Sequence, residues 1–202
     1  MSDMPLAPAA VVIQYPVGDF DHWKGTFDAH EADRIEAGFL GHHINRAESD
    51  PNSLAVFLAV GDVDKAKAYA TSDKVKALMQ EAGVMGQAEV TWVTPVAEDV
   101  VWDRELPAVM VIHTVADFDA WLAGYLSPEA DEMRKSAGII GHAANQGVEN
   151  PLLALVYHQA ESFDAVRALT SSDELRHVMK DAGVTSEPEF SYHTGGWGKF
   201  YQ

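Results

Sequence analysis

Three histidines, His113, His158 and His193, fall in separate short β-rich runs of the chain. An imidazole titrates near neutrality, so such residues, once gathered, serve as general acid and base. In neutral form they also bind Zn, Fe, Cu or Ni. An internal comparison singles them out: at the aligned positions earlier in the chain stand Tyr15, Leu58 and Val93. Histidine gained at three strand positions is the trace a new site would leave in one copy of a duplicated unit. Acid–base work by His113, His158 and His193 is expected ahead of metal binding, because no carboxylate is obviously placed as a fourth ligand or as support for a coordinating imidazole. The alternative is a transition metal ion held by the same three side chains.

The comparison rests on a tandem repeat. Val17-Gly18-Asp19-Phe20-Asp21-His22-Trp23 aligns with Val115-Ala116-Asp117-Phe118-Asp119-Ala120-Trp121, an offset of 98. Gly38-Phe39-Leu40-Gly41-His42 aligns with Gly138-Ile139-Ile140-Gly141-His142, an offset of 100 that also relates Asn45 to Asn145, Pro51 to Pro151, and Ala82-Gly83-Val84 to Ala182-Gly183-Val184. The second copy therefore carries two extra residues near the end of its first helix. The division predicted is residues 8–94 for the first repeat, 95–106 for a linker, 107–194 for the second repeat and 195–202 for an aromatic tail.

Each copy spells out one order of elements. Val11 to Tyr15 is a β-rich run. Asp19 stands as N-cap before Phe20, Trp23 and Phe27, spaced three and four apart as on one helix face, and Gly38 ends that helix. His42 to Ala47 and Leu54 to Val60 are strands flanking the turn Asp50-Pro51-Asn52. Asp62 to Glu81 is helical, restarting at Ser72-Asp73, and Glu89 to Val93 is the last strand. The order β-α-β-β-α-β is the ferredoxin-like unit, with strand order 4-1-3-2. Helices cover one face of such a sheet and leave the other in need of a partner. The expected fold class is α+β: two ferredoxin-like repeats forming a pseudo-dimeric barrel, with a cavity between two sheets.

Each copy resembles the dimeric α+β barrel superfamily, in its antibiotic-biosynthesis-monooxygenase-like and cyclase-like branch. The resemblance is carried by Asp19-Phe20-Asp21-x-Trp23, Arg34, Asp50-Pro51-Asn52, Ala66, Ser72 and Met79-x-x-Ala82-Gly83-Val84. It covers both copies apart from linker and tail. These are caps, turns and core positions, so they imply the fold more than an activity. The resemblance implies cofactor-free oxygenases, polyketide cyclases, isomerases or haem-handling enzymes.

Strand alternation assigns faces. Phe190 and Tyr192 oppose Ser191 and His193, and Leu155 and Tyr157 oppose Val156 and His158. If the bulkier apolar set meets the helices, the histidine set meets the space between sheets. The first strand is ambiguous, since Val109, Val111 and His113 alternate with Met110, Ile112 and Thr114. Further candidate ligand contacts are Gln14, Tyr15, His42, His142, Tyr192 and Trp197. His42 and His142 follow Gly-x-x-Gly in both copies and read first as structural. Trp197 and Phe200 or Tyr201 are expected to pack back, capping the cavity mouth beside His193.

A net charge of −17 with scattered Lys and Arg argues against nucleic acid and against an anionic membrane surface. With no cysteine there is no disulfide framework and no thiolate metal site. No apolar run reaches membrane-spanning length and no signal peptide is evident, so a cytoplasmic location is expected. No Gly-rich phosphate loop, nucleophile elbow or His-Glu-x-x-His motif occurs. The function expected is that of a small-molecule enzyme without a cofactor, doing proton-transfer (cyclase or isomerase) or cofactor-free oxygenase chemistry. The chain is expected to be a monomer with pseudo-two-fold symmetry, compatible with further homo-oligomerisation. The alternatives are a three-histidine metal-dependent oxygenase and a non-catalytic ligand-binding protein.

Overall fold

The computed structural model describes residues 6–102 and 104–201, and the Trp197 side chain lies outside that description. The fold class is α+β, two ferredoxin-like repeats, as the element order predicts. The first runs β1 (Ala9–Pro16), α1 (Phe20–Ala29), α2 (Glu31–Glu36), β2 (Phe39–Ala47), β3 (Ser53–Val60), α3 (Val63–Ala70), α4 (Asp73–Glu81) and β4 (Glu89–Asp99). The second runs β5 (Ala108–Thr114), α5 (Phe118–Tyr125), α6 (Pro128–Ser136), β6 (Ile139–Gly147), β7 (Leu153–Ala160), α7 (Phe163–Thr170), α8 (Asp173–Asp181) and β8 (Glu189–Phe200). Strand order is β4-β1-β3-β2 in one and β8-β5-β7-β6 in the other, the 4-1-3-2 order of the unit.

Local chemistry explains the helix starts. The carboxylates of Asp19 and Asp117 accept from the backbone N–H of His22 and Ala120, at 2.7 and 3.0 Å. Ser72 and Ser172 do the same for the restarted helices α4 and α8. Each cap satisfies an N–H that the helix itself cannot. The helix predicted to run up to Gly38 is broken in two, at His30 in the first repeat and at Leu126-Ser127 in the second, where the two copies differ in length. Gly38 and Gly138 follow these helices with φ of +81° and +79°, a conformation glycine adopts without Cβ strain.

The chain forms two compact units. One comprises Ala7–Trp92 together with the residues from Gly196 onward, the other Val93–Gly195. The connector expected from residue 95 is strand as far as Asp99: within the second unit, Val93 to Asp99 pair antiparallel with β6. The tail is likewise strand, and in the first unit the Tyr201 N–H donates to the Leu40 carbonyl at 2.9 Å. Each unit has its own core between sheet and helices, around Trp23, Ile44 and Val56 in the first and Trp121, Val111 and Val156 in the second.

Candidate functional site

The second unit holds a cavity of about 290 Å³ between its sheet and helices, lined by Val111, His113, Trp121, Tyr125, Arg134, Val156, His158, Thr170, Met179 and Phe190 among others. On α5 the spacing of Phe118, Trp121 and Tyr125 brings their rings together in succession, Phe118 tilted against Trp121 and Trp121 stacked on Tyr125, with centroids 5.2 and 5.1 Å apart. The chain then turns at Ser127, whose hydroxyl caps α6 through Ala130 N–H. That brings the buried Arg134 back onto α5. Its Nη1 donates to the Tyr125 carbonyl at 2.8 Å, and its guanidinium lies 4.5 Å from the Tyr125 ring centroid. Asp131 stands 3.8 Å from Nη2.

The polar groups of the cavity wall meet at the Tyr125 hydroxyl. It lies 3.1 Å from His142 Nδ1 and 3.1 Å from His158 Nε2. The two histidines are register partners on β6 and β7. One hydroxyl holds one proton, so it donates to one imidazole and accepts N–H from the other. The three side chains form one hydrogen-bonded chain, whose direction is set by the tautomers of the two imidazoles. His113 packs edge-on to Trp121, centroids 5.6 Å apart, and neither of its ring nitrogens has a hydrogen-bond partner.

Burial keeps all these groups neutral. It lowers the His113 pKa to about 4. It lowers that of His158 to about 3, helped by His142 and Arg134 nearby. His142 is pushed down and the Tyr125 hydroxyl up for the same reason, since an apolar surrounding disfavours the charged form.

The three histidines singled out by sequence do not converge. His113 and His158 line one cavity, whereas His193 lies on the opposite face of the sheet from Phe190 and Tyr192, which pack on the helix-side core. His193 instead pairs through Nε2 with the Ser191 hydroxyl at 3.0 Å. The expectation that His158 faces away from the helices is also overturned, because Val156 and His158, not Leu155 and Tyr157, point at them. Both faces of the strand are buried, Leu155 to 2% exposure and Val156 likewise to 2%, so relative bulk carries no information about facing. This placement does not bring His113, His158 and His193 together around one point. Among the described residues no three His, Cys, Asp or Glu side chains gather closely enough to hold an ion.

The other candidates divide as well. Tyr15 lines the cavity of the first unit. Gln14, on the opposite side of β1, reaches Glu89 instead at 3.5 Å. His42 Nδ1 meets the Tyr201 hydroxyl at 2.8 Å. Tyr201 thus packs back as expected, but onto His42 and not beside His193, while Phe200 stays exposed. Tyr192 shares a 2.8 Å hydrogen bond with Thr170 on the cavity wall. The expectation for Trp197 lies outside the described residues. Sequence reasoning missed Tyr125 and Arg134. Tyr125 had the same signal as the histidines, since its aligned residue is Phe27.

Replacing His193 by valine, the residue of the aligned position, is expected to leave ligand affinity in the second unit's cavity unchanged. Stability should move by less than about 1 kcal/mol, because loss of the Nε2 hydrogen bond to Ser191 is offset by removal of a buried Nδ1 without a partner. Calorimetric loss of ligand binding in this variant would return His193 to the site.

The fold of each repeat is ferredoxin-like, as in solved proteins that include one described as related to antibiotic biosynthesis monooxygenases. Similar solved structures include an anthrone oxidase-like protein, with TM-score 0.69, 12% identity and coverage of 95% of this chain and 92% of that one. A candidate monooxygenase of Lactobacillus acidophilus aligns with TM-score 0.65 at 10% identity, covering 97% of this chain and all of its own. A Listeria monocytogenes ferredoxin-fold protein related to antibiotic biosynthesis monooxygenases aligns with TM-score 0.52 at 11% identity, covering 93% and 95%. No family model matches the sequence, and no curated protein does. At these identities the likeness concerns the fold alone. Among the described residues no helix is long and apolar enough to cross a membrane.

Proposed function

We infer that the second repeat is the active half of a small-molecule enzyme that moves a proton on an apolar, unsaturated or aromatic substrate. The outcome is cyclisation or isomerisation, or oxygenation without a cofactor where the carbanion formed meets dioxygen. The observation that carries this reading is the Tyr125 hydroxyl held between His142 and His158 at the wall of a largely apolar cavity. A neutral imidazole accepts a proton, and a hydrogen-bonded chain behind it carries the charge off the reacting centre. In this reading His158 is the proton acceptor, and Tyr125 and His142 pass the proton on. His113 is the partner of a substrate oxygen, and the Arg134 guanidinium stabilises an enolate. The first repeat has Leu58, Phe27 and Tyr15 at the positions of His158, Tyr125 and His113, so it lacks this relay.

The structural likeness to an anthrone oxidase-like protein suggests the probe. An anthrone has an acidic methylene on an apolar ring system. Deprotonation and reaction with dioxygen convert that methylene to a carbonyl and release water. The purified protein, without added flavin or metal, is expected to consume dioxygen mole for mole with anthrone, read by an oxygen electrode and by quinone absorbance. Tyr125→Phe should slow turnover about 10²-fold while leaving KM nearly unchanged. Binding of the probe without turnover or isomerisation would favour the non-catalytic binding protein. Unchanged kcat in Tyr125→Phe would remove the relay from the mechanism.

A further inference from the structure

The first unit has a cavity of its own, about 190 Å³, between its sheet and helices. Its walls are apolar, from Val11, Val56, Val75 and Met79, with Tyr15 and Arg34 among the lining residues. Arg34 is 5% exposed. Its Nε donates to the Tyr201 hydroxyl at 2.7 Å, its Nη1 to the Phe27 carbonyl at 2.6 Å, and its guanidinium stacks on Phe27 at 3.6 Å. Nη2 is buried with no partner. Among the described residues no carboxylate oxygen lies within 4.0 Å of this guanidinium; two of the three acidic groups of its own helix, Glu31 and Asp33, pair instead with Lys199 and with Lys74 and His30.

The twin arginine shows what is unusual. Arg134 has Asp131 at 3.8 Å, one turn earlier on α6. The aligned residue in the first repeat is Glu31, and Lys199 holds both its carboxylate oxygens, at 2.8 and 2.7 Å. The first unit thus contains a buried cation whose counterpart carboxylate is engaged elsewhere. A buried charge without a partner is costly, and a ligand that supplies the missing anion recovers that cost.

We propose that the cavity of the first repeat is a binding site for a small apolar monocarboxylate, an aromatic or short aliphatic acid, whose carboxylate pairs with Arg34. A single negative charge matches a single guanidinium, whereas a phosphate dianion would bring excess charge and more acceptors than these walls can satisfy. Size agrees with class: an apolar cavity of about 150 Å³ takes a benzene ring. The neutral Tyr15 hydroxyl, its pKa raised by burial, adds a donor to the same cavity. The site is separate from the proton relay of the second repeat and stands or falls without it.

Benzoate is the test ligand and benzyl alcohol its neutral counterpart, titrated calorimetrically into the whole chain. Benzoate is expected to bind at least about tenfold more tightly than benzyl alcohol, as a charge-assisted hydrogen bond provides. Arg34→Met should cost benzoate about 10- to 100-fold in affinity. In the wild-type protein, nuclear Overhauser contacts should run from the benzoate ring to the Met79 and Val75 methyls. The proposal is overturned if the wild type binds neither benzoate nor hexanoate, if the alcohol binds as well as the acid, or if a folded Arg34→Met keeps its affinity. Should Arg34→Met fail to fold, the wild-type contacts decide, and contacts to Val178 and Met179 of the second unit in place of those methyls would sink it.

Discussion

His158→Leu is expected to abolish most of the turnover of the anthrone probe, by ~10²–10⁴-fold, while changing stability by no more than about 1 kcal/mol. The two effects separate because the duplication provides a control. Leucine already occupies the aligned position, where Leu58 is 6% exposed in the core of the first unit. In the second unit the variant replaces an imidazole on the cavity wall by an aliphatic side chain of similar bulk. The Tyr125 hydroxyl keeps His142 Nδ1 as partner, so no buried hydroxyl is orphaned. Only the proton acceptor and one end of the relay are gone. Turnover by stopped-flow absorbance and unfolding in urea measure the two halves of the expectation. Loss of both would make His158 a structural residue. Retention of both would move the chemistry away from the relay.

Acidification is expected to weaken the fold steeply between about pH 6.5 and pH 4, well before most carboxylates protonate. An exposed histidine of the unfolded chain titrates near 6.5. In the folded chain burial holds His42, His113 and His193 near 4 and His158 near 3. Below pH 6.5 the unfolded state takes up protons that the native state refuses, so stability falls with pH until the native groups themselves titrate. Above about pH 7 both states are neutral at these sites and the effect vanishes. The slope is on the order of 1 kcal/mol per pH unit for each such histidine. Four of them together make the loss from pH 6 to pH 5 a large part of a typical domain's stability. The carboxylates of Asp33, Asp62 and Asp131 are also held below their usual range, by hydrogen bonds to lysines and backbone, so they too lose stability on acidification. Their contribution is lost only below about pH 4, outside this window. Urea midpoints at pH 7.5, 6 and 5 measure the slope. His113→Tyr, which installs the residue of the aligned position, should reduce proton uptake on unfolding by about one. A stability independent of pH over this range would mean that these histidines are not held neutral by the fold.

Much of the architecture was determined locally. Asp19, Asp117, Ser72 and Ser172 announce helix starts because a short side-chain oxygen is what an unpaired helical N–H needs, and each was found bonded to one. Asp50-Pro51-Asn52 announced a turn, closed by Asp50 accepting from Asn52 N–H, and Asn52 in turn caps Phe20 N–H. Repetition of these signals marked the duplication, and the order of elements within each copy set the expected strand order. Comparison of the copies also marked His113 and His158, since a polar residue in place of an apolar one at a core position stands out without any structure.

Facing and partnership were decided only in three dimensions. A strand with one wet face reveals its orientation by alternation, but these strands are buried on both sides: Met110 at 5% and Val111 at 5% alternate along β5 with opposite facing. Bulk therefore assigned His158 to the wrong side, and His193 was grouped with residues it does not meet. The hydroxyl that each of the strand histidines His142 and His42 meets comes from unrelated places, Tyr125 on α5 for His142 and Tyr201 at the end of the chain for His42. Such pairings join segments as far apart as 159 residues. Local propensity acts over a few residues, whereas the choice of partner depends on which side chains the packed helices and strand ends bring within hydrogen-bond reach.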